Sequence, residues 1–172
     1  MNRSMESYKS FINNKRVVAG NSGIAIDVKD VHPHLFPFQR DIVKWACAKG
    51  KAAVFANTGL GKTFIQLEWA RLIGQNAIII APLSVARQTV REATKIGIEV
   101  RYVRDQSQVT PDHKMWITNY EMLSHFDADQ FGAVVLDESS ILKAMDGTTR
   151  KTLTDMFANT PFRLACTATP AP

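Results

Sequence analysis

Eight consecutive residues, Ala56-Asn57-Thr58-Gly59-Leu60-Gly61-Lys62-Thr63, restrict the possible folds of this chain more than any other part of it. An apolar run of strand type, Ala52-Ala53-Val54-Phe55-Ala56, precedes them, and a helical pattern follows. A strand that turns on glycines into a helix can point successive backbone N–H groups inward, and the helix N-terminus adds partial positive charge. That combination binds phosphate. Thr58, Gly59, Leu60 and Gly61 are expected to cradle a nucleotide's phosphates. Lys62 is expected to reach the β- and γ-phosphates, and the Thr63 hydroxyl to ligate Mg²⁺. Ala56 stands where the strict pattern has glycine.

The rest of the chain supports an α/β fold. A helix is expected from Phe38, with Ile42, Trp45, Ala46 and Lys49 on one face and Gly50 closing it. Strands are expected at 52–56, 77–80, 99–103, 115–118, 131–136 and 163–167. A helix capped by Ser84 should run between them, with Ala86, Val90, Ala93 and Gly97 along one face. Such alternation implies a mostly parallel sheet with helices on both faces. Arg104 to Lys114 reads as surface loop, and Trp45 and Trp69 as core.

At 172 residues the chain fits one domain. Residues 1–33, polar and carrying turn signals, read as an N-terminal extension with a short helix or hairpin. The net charge of +5 is compatible with a polyanionic partner without establishing one. Cys47 and Cys166 have no metal spacing, which argues against a disulfide scaffold or structural zinc. His32 and His34 lack further ligands and read as loop residues. No apolar run approaches the ~20 residues of a membrane span, and no signal peptide is read at the N-terminus. A soluble intracellular protein is expected.

A second motif lies downstream. Ala133-Val134-Val135-Leu136 delivers Asp137-Glu138 at the end of a buried strand, where ligands of parallel sheets sit. Asp137 is expected to hold Mg²⁺, and Glu138 to orient or deprotonate an attacking water. Loop and acids are expected on two neighbouring strand ends.

With both motifs in place, the sequence from about Leu35 to Pro170 resembles the first RecA-like lobe of superfamily 2 helicases and translocases, in particular Swi/Snf-type motors and the DEAD/DEAH-box-like helicases of phages. Leu35-Phe36-Pro37-Phe38-Gln39-Arg40 resembles the Q motif, which implies that Gln39 reads the adenine edge. Ala81-Pro82-Leu83-Ser84-Val85 with Gln88 is similar to motif Ia, Thr118-Asn119-Tyr120-Glu121 to motif Ib, and Cys166-Thr167-Ala168-Thr169-Pro170 to motif III. Ser140 departs from the family, which has His or Asp there.

The resemblance implies an ATP- and Mg²⁺-dependent hydrolase, a RecA-like P-loop lobe over residues 34–172. Thr167 and Thr169 would couple nucleotide state to nucleic acid. Ser84, Arg87, Thr118 and Asn119 would contact its backbone without reading sequence, with DNA preferred over RNA. The second lobe and its arginine finger are not among these residues, so slow hydrolysis is expected. A cytoplasmic setting, bacterial or phage-infected, follows from the same resemblance, while oligomeric state stays open. Two other readings remain: an ATP-switched binding module without efficient turnover, and a P-loop NTPase that never touches nucleic acid.

Overall fold

Ala77-Ile-Ile-Ile-Ala81 is buried at every position, as a strand covered on both faces must be. It is β2 of a six-stranded sheet. The others are β1 Lys51–Phe55, β3 Arg101–Tyr102, β4 Met115–Asn119, β5 Ala133–Leu136 and β6 Phe162–Thr167. They are ordered β1-β6-β5-β2-β4-β3, and every pair is parallel. The computed structural model describes residues 20–143 and 147–169. The sheet is parallel throughout with helices on both faces, the α/β arrangement that the alternating pattern implied.

Strand side chains alternate between two cores. Ile79, Ile117 and Val135 join a cluster with α1 (Pro37–Lys49), α2 (Lys62–Ile73) and α3 (Leu83–Lys95). Ile78, Ile80, Trp116 and Val134 join the opposite one with Leu153 of α4 (Gly147–Met156) and the 3-10 turns near Leu123 and Ala128. Among the described residues no helix is long and apolar enough to cross a membrane. Cys47 and Cys166 are both free and buried, and burial pushes each thiol up to about 12.

Several local expectations are corrected. The buried face of α1 is Gln39, Val43, Ala46 and Cys47, so Trp45 is 46% exposed while Trp69 is fully buried. A buried glutamine breaks the apolar periodicity, and it is tolerated because both ends of its amide are bonded. Ser84 does not cap α3: Pro82 occupies the N-cap, and Ser84 lies exposed in the first turn. Gly97 lies beyond the helix, exposed, with Ile96 and Ile98 buried on either side. The strand expected at 99–103 shortens to Arg101–Tyr102.

Of the expected extension, residues 1–19 lie outside the described residues. The backbone N–H groups of Ser22, Gly23 and Ile24 donate to the carbonyls of Lys49, Ala48 and Cys47, satisfying the C-terminal turn of α1. Val31 and Leu35 enter the core. The amide of His32 donates to the fully buried Glu68 carboxylate (2.7 Å), which Arg71 pairs at 2.6 Å. This strap ends at Phe36, the N-cap of α1, and so fixes where the helix starts.

Candidate nucleotide-binding site

After β1 the chain turns at Gly59 (φ +83°) and Gly61 (φ +71°) and enters α2 at Lys62. Both angles lie in the left-handed region that glycine adopts without strain. Gly61 has a second constraint: a Cβ there would meet Gln39 Nε2 at 2.3 Å. Gln39 donates to the Leu60 carbonyl (2.9 Å) and accepts from the Phe36 amide (2.9 Å), tying the start of α1 to the loop. Lys62 Nζ lies over the loop, donating to the carbonyls of Ala56 (2.9 Å) and Asn57 (3.4 Å). Ala56 sits there without strain, since among described non-glycine residues only Glu138 has a positive φ.

The acids follow β5. The Asp137 amide donates to Ile80 O (2.8 Å), extending the β5–β2 ladder by one residue. The residue is 7% exposed, and its carboxylate accepts from Gln66 Nε2 (2.6 Å) and the Glu138 amide (3.0 Å). Burial pushes the Asp137 carboxyl above the usual carboxylate range, opposed by those two donors. Among the described residues no cation pairs with it. Glu138 adopts φ 50°, and its Oε1 accepts from both Ser140 Oγ (2.9 Å) and Thr167 Oγ1 (3.1 Å). The Thr169 amide donates to Thr167 Oγ1 (3.1 Å), so the segment after β6 is tied to the Glu138 carboxylate.

Loop and acids lie at the same edge of the sheet, but not on neighbouring strands, which corrects the sequence expectation. β6 runs between β1 and β5 and places Thr167 between them. Thr58, Gly59, Gly61, Lys62, Thr63, Asp137 and Glu138 line one cleft of about 410 Å³. Val85, Gln88 and Glu92 of α3 also line it. The donor set fits a hard divalent cation: a hydroxyl and a buried carboxylate without a cationic partner. Among the described residues no group of three or more His, Cys, Asp or Glu could hold a metal. Phosphate oxygens would therefore have to complete the coordination shell.

The four residues expected at nucleic acid divide into two pairs. Ser84 and Arg87 are exposed on α3. Thr118 is fully buried with a hydroxyl that has no partner among the described residues, and Asn119 is 3% exposed, bonded to Tyr102 (2.9 Å) and Glu121. Both are buried at the end of β4 by what packs on the faces of the sheet, so neither is exposed for a nucleic-acid backbone.

Gln66 and Tyr120 were not singled out from sequence. Gln66 donates to Asp137 and Tyr120 donates to the Asp137 carbonyl (2.7 Å). Gln66 follows Lys62 by one helical turn, and that polar residue among apolar neighbours was the available signal.

Residues 36–172 match the DEAD/DEAH box helicase family. The chain belongs to that family. No curated protein sequence matches it. Among solved structures it is similar to the Sulfolobus solfataricus SWI2/SNF2 ATPase core in complex with dsDNA, at 20% identity and a TM-score of 0.71, covering 86% of this chain and 34% of that one. It is also similar to the UvsW helicase from bacteriophage T4, at 14% identity and a TM-score of 0.65, covering 94% and 60%. A hypothetical ATP-dependent RNA helicase from Sulfolobus tokodaii gives 16% identity and a TM-score of 0.55, covering 98% and 51%. At these identities the likeness concerns the fold. The chain spans about a third to three-fifths of the lengths of these structures.

Proposed function

We propose that the chain is the ATP-binding lobe of an ATP- and Mg²⁺-dependent nucleic-acid motor. The observation that carries this reading is the single cleft that brings the glycine loop, Lys62 and Thr63 to the same place as Asp137 and Glu138. Backbone N–H groups of residues 58–63 bind the phosphates, and Lys62 swings from the loop carbonyls onto the β- and γ-phosphates. Thr63 and Asp137 hold Mg²⁺, which when bound neutralises charge on the phosphates. Gln39 positions the loop and offers its remaining amide capacity to the adenine edge.

Glu138 orients the attacking water and accepts its proton. Because Oε1 already takes two hydroxyl donors, Oε2 is the oxygen free to do so. Thr167 and Thr169 carry the nucleotide state from this carboxylate into the segment after β6. Nucleic acid, with DNA preferred over RNA, contacts Ser84 and Arg87 through its backbone, and a second RecA-like lobe completes the nucleotide site.

Arginine fingers supply about 10³–10⁵ in rate. The 172-residue chain alone is therefore expected to bind Mg·ATP yet hydrolyse it slowly, with no stimulation by DNA. Single-turnover hydrolysis of labelled ATP, with and without DNA, checks this. Rapid DNA-stimulated turnover by the chain alone would contradict the division of the site between two lobes. Failure to bind nucleotide would contradict the reading as a whole.

A further inference from the structure

Along α3 the polar side carries a pattern that the nucleotide cleft does not use. Ala86, Thr89 and Ala93 face the core, while Ser84, Arg87, Arg91 and Lys95 are exposed. At about 100° per residue, these four fall within an arc of roughly 80°. Arg87, Arg91 and Lys95 recur every four residues, rising about 6 Å at each step and about 12 Å in all. Among the described residues none of the three has an ion-pair partner. The helix's acid, Glu92, lies outside that arc, accepts from Gln88 (2.9 Å) and lines the nucleotide cleft. Glu99, just beyond the helix, pairs with Arg101 (3.1 Å).

An uncompensated row of cations on one helix face complements a polyanion whose charges are themselves in a row. We infer that this face of α3 is a track for the sugar–phosphate backbone of one nucleic-acid strand, running from Ser84 and Arg87 at the sheet edge down to Arg91 and Lys95. One strand of a duplex carries a charge about every 3.4 Å of axis, so three cations over about 12 Å face three to four phosphates. Long flexible stems let Arg and Lys follow such a row without fixed base contacts, which gives sequence-independent binding. The inference rests on the nucleic-acid motor reading above. It adds to that reading a footprint beyond the helix's first turns.

The test is the salt dependence of binding of a short fluorescein-labelled DNA duplex, and of its single strand, to the 172-residue chain. Each lost phosphate contact lowers the slope of log K against log salt by about 0.9 for a duplex and about 0.7 for a single strand. Arg91→Ala/Lys95→Ala should thus lose about 1.8 or about 1.4 in slope, according to which form lies on the track. Lys44→Ala, an exposed cation of α1, should leave the slope unchanged.

A slope unaltered by the double variant but reduced by Arg87→Ala would overturn the track and leave the motor reading standing. Equal losses for Lys44→Ala would also overturn it, in favour of diffuse attraction. Wild-type chain that binds Mg·ATP but neither DNA would sink the track together with the nucleic-acid part of the motor reading.

Discussion

Lys62→Ala should weaken Mg·ATP binding about a hundredfold in isothermal titration calorimetry. The Lys62 ammonium lies within hydrogen-bonding reach of two loop carbonyls at the cleft that Thr63, Asp137 and Glu138 also line. On a nucleotide it forms charge-assisted bonds to phosphate, and hydrogen bonds to charged groups contribute about 1.5–3 kcal/mol each. Loss of roughly 3 kcal/mol is about two powers of ten in affinity. The fold should survive, because the side chain's bonds in the apo chain go to loop carbonyls and not into the core. Calorimetry showing unchanged affinity would remove Lys62 from the phosphate site.

Glu138→Gln has its effect on a different step. Positioned general bases contribute about 10²–10⁴ in rate, so single-turnover hydrolysis should slow by that factor while Mg·ATP affinity stays near wild type. Glutamine keeps the length of the side chain, and its carbonyl oxygen can still accept from Ser140 and Thr167 as Oε1 does. What it loses is the basic second oxygen. A variant that hydrolysed ATP at the wild-type rate would show that Glu138 does not handle the proton.

The glycine loop and the acid pair were legible in sequence where the backbone itself makes demands. Two left-handed positions in one turn write Gly59 and Gly61 into the chain, and a strand buried on both faces writes Ala-Val-Val-Leu before Asp137-Glu138. Family order then pointed to Thr167, whose hydroxyl does reach Glu138.

What sequence left hidden depends on pairing across space. Strand order cannot be read from alternation, so β6 between the loop strand and the acid strand came only from the sheet. Trp45 has the spacing of a core residue, yet α1 is turned by about one position because the buried Gln39 finds partners in the Phe36 amide and the Leu60 carbonyl. Thr118 and Asn119 look like polar surface residues but are buried at the end of β4, where Tyr102 and Glu121 hold Asn119. Ser140 departs from the family pattern. Its link to motif III runs through the Glu138 carboxylate, a geometry that no spacing rule shows.

Substituting Mn²⁺ for Mg²⁺ puts the metal position to direct experiment, because a paramagnetic ion broadens the amide resonances of its nearest residues in an NMR spectrum of the labelled chain. With ATP and Mn²⁺ together, the signals of Thr63 and Asp137 should vanish, and neither should change when Mn²⁺ is added without nucleotide. Persistence of both signals at saturating Mn·ATP, with broadening elsewhere on the molecule, would mean that the glycine loop and the strand-end acid do not share a metal.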